Sequence, residues 1–387
     1  MIAQAPYIYL FLILIPDLYL DWRYWRHKYQ VGGRLMRWLP SIVLTAYTIA
    51  LALMKKFIPD NPGILYIYLV LLVLFAVTKA VFMLCSITGL GFCRLFKTKK
   101  NFGNLVGLLC VPVIWYILFY GIFIGFNKLE VNRHTYTSPA LPEAFDGYKI
   151  VLFSDAHVGS YTERNEEVLK RAIDSINAQQ PDLIVFVGDL QNTQPQDIYR
   201  HIDVLSSLKA KDGIYSILGN HDYGDYICGN TARKVANCRE TISLERQFGW
   251  TVLQNEHRNI SRDKSSIVIA GMENDGDGIK FPQKGDVIKT LKDVKEGTFI
   301  LMLEHDPSAW RRKIIPDGRA QLTLSGHTHK MQFSIFGWCP MTIYQKEVNG
   351  WYQEGEQSLF VTAGLGGLIP FRFGSTGEIV VLTLRKS

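Results

Sequence analysis

Two regimes of hydrophobic patterning divide the chain. Over roughly the first 130 residues apolar side chains run on with few interruptions, in stretches at 3–20, 39–56, 64–91 and 105–126. A helix needs about 20 mainly apolar residues to cross the hydrocarbon layer, so the pattern predicts a membrane domain at 1–130 with about four transmembrane helices. The first stretch has no basic residue ahead of its apolar run, and its arginines come after it, which favours a retained helix over a cleaved signal peptide. Lys79 interrupts the third stretch. Each half alone is too short to span, so one long tilted helix with a snorkelling Lys79 is expected, the alternative being a functional intramembrane charge.

Residues 131–146 read as a linker, and the rhythm then changes. In 147–387 short apolar runs ending in polar residues, "YKIVLFSDAH", "DLIVFVGD" and "IYSILGNHD", alternate with the helix-like "NEEVLKRAIDSINAQQ" and "DIYRHIDVLSSLKAK". That is a β-α-β-α-β order. Near-continuous Val, Ile, Leu and Phe predict strands buried on both faces, whose ligands bind beyond their carboxyl ends.

Charge splits along the same boundary. Residues 1–137 hold 14 Lys and Arg against 4 Asp and Glu, and the remainder 28 against 31, so the net +7 is +10 with −3. The soluble part therefore carries no basic footprint for nucleic acid. Arg23, Arg26, Lys28, Arg34 and Arg37 come after the first apolar stretch, and Arg94, Lys97, Lys99 and Lys100 precede the fourth. Both loops should be cytoplasmic; four spans then put the N-terminus and the C-terminal domain outside, in a multi-pass inner or plasma membrane protein. Cys228 and Cys238 flank a short polar stretch and are compatible with a disulfide or with two reduced thiols.

Candidate chemistry gathers at the strand ends. Asp155 and His157 end the first run, Gly188 and Asp189 the second, Asn220, His221 and Asp222 the third; His305 closes "TFILMLEH", and His327 and His329 close "LTLSGHTH". Each cluster alone reads equally well as a capping turn or a buried histidine. Together they place five of nine histidines at successive strand ends, which chance does not explain. Imidazole mixed with carboxylate and amide oxygens suits Mn, Fe or Zn better than Mg or Ca, and the donors suffice for two ions. Two metals about 3.5–4 Å apart can hold a hydroxide and clamp phosphate oxygens, so phosphoester hydrolysis is the expected chemistry.

The ordered blocks Asp-x-His, Gly-Asp, Gly-Asn-His-Asp, His and Gly-His-x-His resemble the calcineurin-like metallophosphoesterase family across residues 146–384. The resemblance implies an α/β domain of two facing mixed sheets flanked by helices, placed after the helical membrane domain. It also implies two divalent transition-metal ions, with Asp155, His157 and His329 as ligands of one, Asn220, His305 and His327 of the other, and Asp189 as the bridge. His221 would act on the phosphoryl or leaving oxygens, oriented by Asp222. "GDLQNTQ" departs from the common "GDLVD" at Gln191 and Asn192, which bears on substrate preference rather than on ligation.

"LEHDPSAW", "SGHTHKMQF" and "LFVTAGLGG" are similar to the membrane-linked branch, which includes transmembrane proteins with a metallophosphoesterase domain and UDP-2,3-diacylglucosamine pyrophosphatases. A tethered site implies membrane lipids or a lipid-linked phosphoester as substrate, and "GLGGLIPFRFGS" reads either as a lipid-facing loop, with Leu368, Ile369, Phe371 and Phe373 exposed around Arg372, or as a glycine-rich loop with core aromatics. A UDP-sugar substrate would require the domain to face the cytoplasm. An inactive membrane scaffold is the non-enzymatic alternative.

Overall fold

The structure, a computed structural model, describes residues 5–54, 61–227, 229–278 and 281–387. The chain folds as two compact units, Met1–Gly121 and Ile122–Ser387.

In the first unit, three helices among the described residues are long and apolar enough to cross a membrane: Val31–Leu53, Gly63–Phe96 and Phe102–Gly125. Asn61 and Asn101 cap the last two, each accepting a backbone N–H two residues on, which satisfies a donor that a helix start leaves open. The expected first span is the 16-residue helix Ala5–Leu20; Pro16, Asp17 and Asp21 close its apolar run, and residues 1–4 lie outside the described residues. The third stretch is one continuous helix, as expected, but Lys79 does not snorkel. Its ammonium lies 2.7 Å from the fully buried Asp17 carboxylate and donates to Ser41 Oγ at 3.1 Å. A charge within an apolar helix is here paired with an opposite charge from a neighbouring helix.

The second unit contains two six-stranded sheets. Its strands are β1 (Leu129–Ser138), β2 (Lys149–Phe153), β3 (Leu183–Val187), β4 (Ile214–Ile217), β5 (Thr251–Val252), β6 (Glu256–Arg262), β7 (Ser265–Gly271), β8 (Ile300–Leu303), β9 (Leu322–Ser325), β10 (Gly350–Glu354), β11 (Gln357–Val361) and β12 (Gly377–Lys386). One sheet has the order β1-β12-β2-β3-β4-β5 and the other β10-β11-β9-β8-β7-β6. Strands β2 to β5 run parallel, as do β7, β8, β9 and β11, and β1 runs parallel to β12; the pairs β12–β2, β10–β11 and β6–β7 are antiparallel, so both sheets are mixed.

Period-two side-chain alternation builds three layers of core. Ile150, Leu152, Leu183, Val185 and Val187 of the first sheet face Ile267, Ile269, Leu301, Leu303, Leu322 and Leu324 of the second. The opposite faces take Val151, Phe153, Ile184 and Phe186 against helix Glu166–Ala178, and Val268, Ala270, Ile300 and Met302 against Trp310 and Ile314. Each such side chain, fully buried, contributes about 1.5–3 kcal/mol, which is why the strands read as continuous apolar runs.

The expected linker needs correction. Residues 129–138 form β1, paired in parallel with β12 over ten residues. "LEVNRHTYTS" has one face in contact with the sheet and an open edge, so its apolar signal is half that of β2 or β3. Its partner lies about 250 residues away, beyond the reach of local patterning.

Candidate metal centre

The carboxyl ends of β2, β3 and β4 in one sheet and β8 and β9 in the other deliver every residue of the expected site. Asp155 and His157 come after β2, Asp189 after β3, Asn220, His221 and Asp222 after β4, His305 after β8, and His327 and His329 after β9. The chain must turn sharply at each of these ends. Asp155, His157, Asp189, His327 and His329 all adopt φ between 42° and 70°, a left-handed conformation that non-glycine residues seldom take and that concentrates at functional sites. Two glycines make room. A Cβ on Gly188 (φ 93°) would stand 2.8 Å from His305 Nδ1, and one on Gly326 would stand 2.3 Å from Asp155 Oδ2.

The side chains converge in two groups that share one carboxylate. Asp155, His157, Asp189 and His329 each place a potential ligand atom within 4.8 Å of the others, and so do Asp189, His305 and His327. His329 Nε2 lies 3.2 Å from Asp155 Oδ1 and 3.2 Å from His157 Nε2. Asp189 Oδ2 stands 3.6 Å from His157 Nε2 and 3.2 Å from His305 Nε2. Asn220 Oδ1 meets His327 Nδ1 at 2.7 Å.

Hydrogen bonds outside the cluster fix which atoms face inward. Val187 C=O sits 2.6 Å from His305 Nδ1 and accepts its N–H, which leaves Nε2 to face the cluster. Asn220 Nδ2 donates to Tyr226 Oη at 2.9 Å, which turns its Oδ1 inward. Asp155 Oδ2 accepts from Ser154 Oγ and His327 N–H, and Asp189 Oδ1 accepts from His221 N–H.

These donors fit divalent cations. Of the nitrogens that face the cluster, His305 Nε2 is buried without a hydrogen-bond partner, a costly state for a polar atom. Burial, reinforced by neighbouring His221, holds His157 well below the usual imidazole range, and burial pushes His329 down to about 4 against the pull of Asp155. Both rings are thus neutral, as ligation requires. Burial also opposes charge on His305, but Asp189 outweighs it and pushes the ring up to about 10; a proton on Nε2 and a divalent cation are alternative ways of balancing that carboxylate. Burial would raise Asp189, yet His305 and His221 hold it well below the usual carboxylate range, so it stays anionic.

His221 stands beside the cluster, edge-on to His157 with ring centroids 4.7 Å apart and stacked on Tyr226 at 4.3 Å. Asp222 does not orient it. The carboxylate of Asp222 instead accepts four backbone N–H groups, from Asp189, Leu190, Gln191 and Gly219, at 2.8–3.2 Å, and so ties the β3 loop to the β4 loop. The His221 ring is oriented by the Asn192 carbonyl, 2.5 Å from Nδ1, while Gln191 Nε2 donates to the His221 carbonyl at 2.9 Å. The two residues that depart from the common family pattern are therefore the ones that hold the histidine. Neither this role nor that of Tyr226 carries a local sequence signal.

A profile of the calcineurin-like phosphoesterases matches residues 148–331, a span that contains all seven expected ligands. The metallophosphoesterase YkuE of Bacillus subtilis is 35% identical over 277 residues, covering 69% of this chain and 90% of that protein. The chain belongs to the calcineurin-like metallophosphoesterase family. This metallophosphoesterase is therefore a metal-dependent phosphoester hydrolase. A Danio rerio protein named transmembrane protein with metallophosphoesterase domain is 31% identical, covering 64% of this chain and 55% of that one; a Campylobacter jejuni metallophosphoesterase is 30% identical, covering 67% and 65%. The chain thus spans somewhat over half the length of these two relatives. Among the described residues, three helices ahead of the phosphoesterase unit are long and apolar enough to cross a membrane, which suggests a membrane protein.

The expected lipid loop is corrected in part. Arg372 is fully buried rather than surrounded by lipid-facing side chains, and Leu368, Ile369, Phe371 and Phe373 are half-buried. Cys228 lies outside the described residues, so its pairing with Cys238 does too.

Proposed function

We propose that this chain is a membrane-anchored dinuclear phosphoesterase that hydrolyses a phosphoester or phosphoanhydride of a lipid or lipid-linked molecule. Asp155, His157 and His329 would hold one divalent ion, Asn220, His305 and His327 the other, and Asp189 would be shared between them. The observation that carries this reading is the sharing of Asp189 between the two ligand groups. Bound Mn, Fe or Zn would supply Lewis acidity to the phosphoryl group and a low-pKa water.

The chain's own residues do the rest. The Asn192 carbonyl accepts from His221 Nδ1 and leaves Nε2 to address a phosphoryl or leaving oxygen. Asp222 keeps Asp189 and His221 on neighbouring loops in register. Positioned proton transfer contributes about 10²–10⁴-fold. His221→Ala is therefore expected to lower kcat by about that factor on a phospholipid or aryl phosphodiester while bound metal, measured by atomic absorption, is unchanged. A variant that loses its metal would move His221 from catalysis to ligation.

The catalytic unit is proposed to face away from the cytoplasm. Arg94, Lys97, Lys99 and Lys100 precede the last apolar helix, and a cytoplasmic position for them sends the chain beyond that helix outside. Reporter fusions at Ser387 are expected to be active outside; activity inside would favour UDP-2,3-diacylglucosamine pyrophosphate as substrate.

A further inference from the structure

Immediately after His329 the chain makes a surface lobe that the metal chemistry does not use. Residues 330–346 read "KMQFSIFGWCPMTIYQK", two lysines and no acidic residue. Met331, Ile335, Phe336, Trp338, Ile343 and Tyr344 are all exposed. Scattered apolar side chains on a surface need no explanation, but six large ones in fourteen residues do.

The backbone presents them deliberately. Ile335 and Trp338 exchange both backbone hydrogen bonds at 3.0 Å, closing a two-residue hairpin. Its tip is Phe336 (φ 50°) and Gly337 (φ 84°), both left-handed, a turn that favours Asn-Gly. A phenylalanine there is strained by its own backbone and yet stands fully exposed. Turn stability does not account for that residue.

The lobe is also braced to the site. Gln332 Nε2 donates to the carbonyls of Ile369 and Phe371 at 3.0 and 2.6 Å, and Phe333 stacks on Phe373 at 6.0 Å. Asn192, whose carbonyl holds His221, donates from Nδ2 to the Leu368 carbonyl at 3.2 Å. Ser375 Oγ donates to the His329 carbonyl at 3.1 Å. The rigid part of the lobe is thus continuous with the catalytic edge.

We propose that this lobe docks on an anionic bilayer, with Phe336, Trp338 and Ile343 entering the headgroup and acyl boundary and Lys330 and Lys346 meeting lipid phosphates. A bilayer is the occupant because the same chain carries helices able to cross one, because tryptophan and tyrosine favour that boundary, and because the only charges in the segment are positive. Docking there holds the metal edge at headgroup level, where a phospholipid-type phosphoester lies. The inference builds on the lipid-substrate reading above, and its test keeps the two apart.

The full chain is reconstituted in nanodiscs of phosphatidylcholine with phosphatidylglycerol. The Trp338 emission is isolated as the difference between wild type and Trp338→Phe. Docking predicts that this component is quenched by lipids brominated on the acyl chain and shielded from aqueous iodide, more so with phosphatidylglycerol than without. Phe336→Asp is expected to weaken that quenching while hydrolysis of a soluble aryl phosphodiester with Mn²⁺ continues at the wild-type rate. A Trp338 component untouched by bromolipid overturns the docking surface, whether iodide reaches it or it is shielded by protein. If such protein still hydrolyses the soluble diester, the phosphoesterase reading stands without the docking surface. Quenching without hydrolysis supports the surface and removes the catalytic reading.

Discussion

Asp189→Asn is expected to weaken metal binding by both ligand groups and lower kcat/KM by more than about 100-fold, the upper end of what loss of a mere supporting group costs. The substitution keeps shape and one carbonyl oxygen but removes the charge and the second anionic oxygen. Asp189 is the one residue common to both ligand groups, and its Oδ2 sits within 3.6 Å of both His157 and His305. A divalent ion binding only the native state stabilises it by about 2.7 kcal/mol at 100 times its Kd. Wild-type protein titrated with Mn²⁺ or Zn²⁺ should therefore show a rising Tm, and Asp189→Asn should blunt that rise. An unchanged metal-dependent rise in the variant would remove Asp189 from the bridge.

Arg372→Leu should be the most destabilising single change outside the ligands. The guanidinium is buried among carbonyls: Ala363 and Gly364 at 2.9 Å, Gly366 at 2.5 Å and Thr376 at 3.0 Å, with Ser375 at 3.4 Å. Burial pushes its pKa down to about 10, which still leaves it charged at neutral pH. Leucine fills much of the space but offers no donor. Stranding two or three buried acceptors at about 1–3 kcal/mol each costs roughly 3–6 kcal/mol, a fall in Tm on the order of 10 °C for a unit of this size. The loop it braces in turn supports the site, because Leu365 and Gly366 N–H donate to the Ser154 and Asp155 carbonyls at 2.8 and 2.9 Å. Thermal unfolding of the full chain in detergent measures the effect; a drop of less than about 3 °C would show that water satisfies those carbonyls.

The candidate site is legible in the sequence to an unusual degree, and the reason is local. A strand whose two faces are buried announces itself as an apolar run, and the residue where the run stops is where the backbone turns out to ligand. Asp155, Asp189, Asn220, His305 and His327 each mark such a stop. Supporting residues leave no such mark. Asn192 acts through a carbonyl that every residue possesses, and Arg372 reads as a surface cation until its carbonyl cage is seen. Adjacency in sequence suggests Asp222 as the partner of the His221 ring, whereas its carboxylate reaches backward to the β3 loop, 31 to 33 residues away.

The same division holds for the membrane unit and the lobe. Apolar runs of spanning length are visible in composition, but not that Lys79 meets Asp17, 62 residues distant, instead of the lipid interface. The strand β1 reads as a linker because its pairing is with β12. By itself the sequence determined the two units, the α/β character of the second, and the set of side chains that can bind metal, all of which depend on periodicity and residue chemistry at short range. Only the tertiary structure decided what orients His221, where the Asp222 carboxylate reaches, and which apolar residues stay exposed, because each depends on contacts between segments that no local pattern relates.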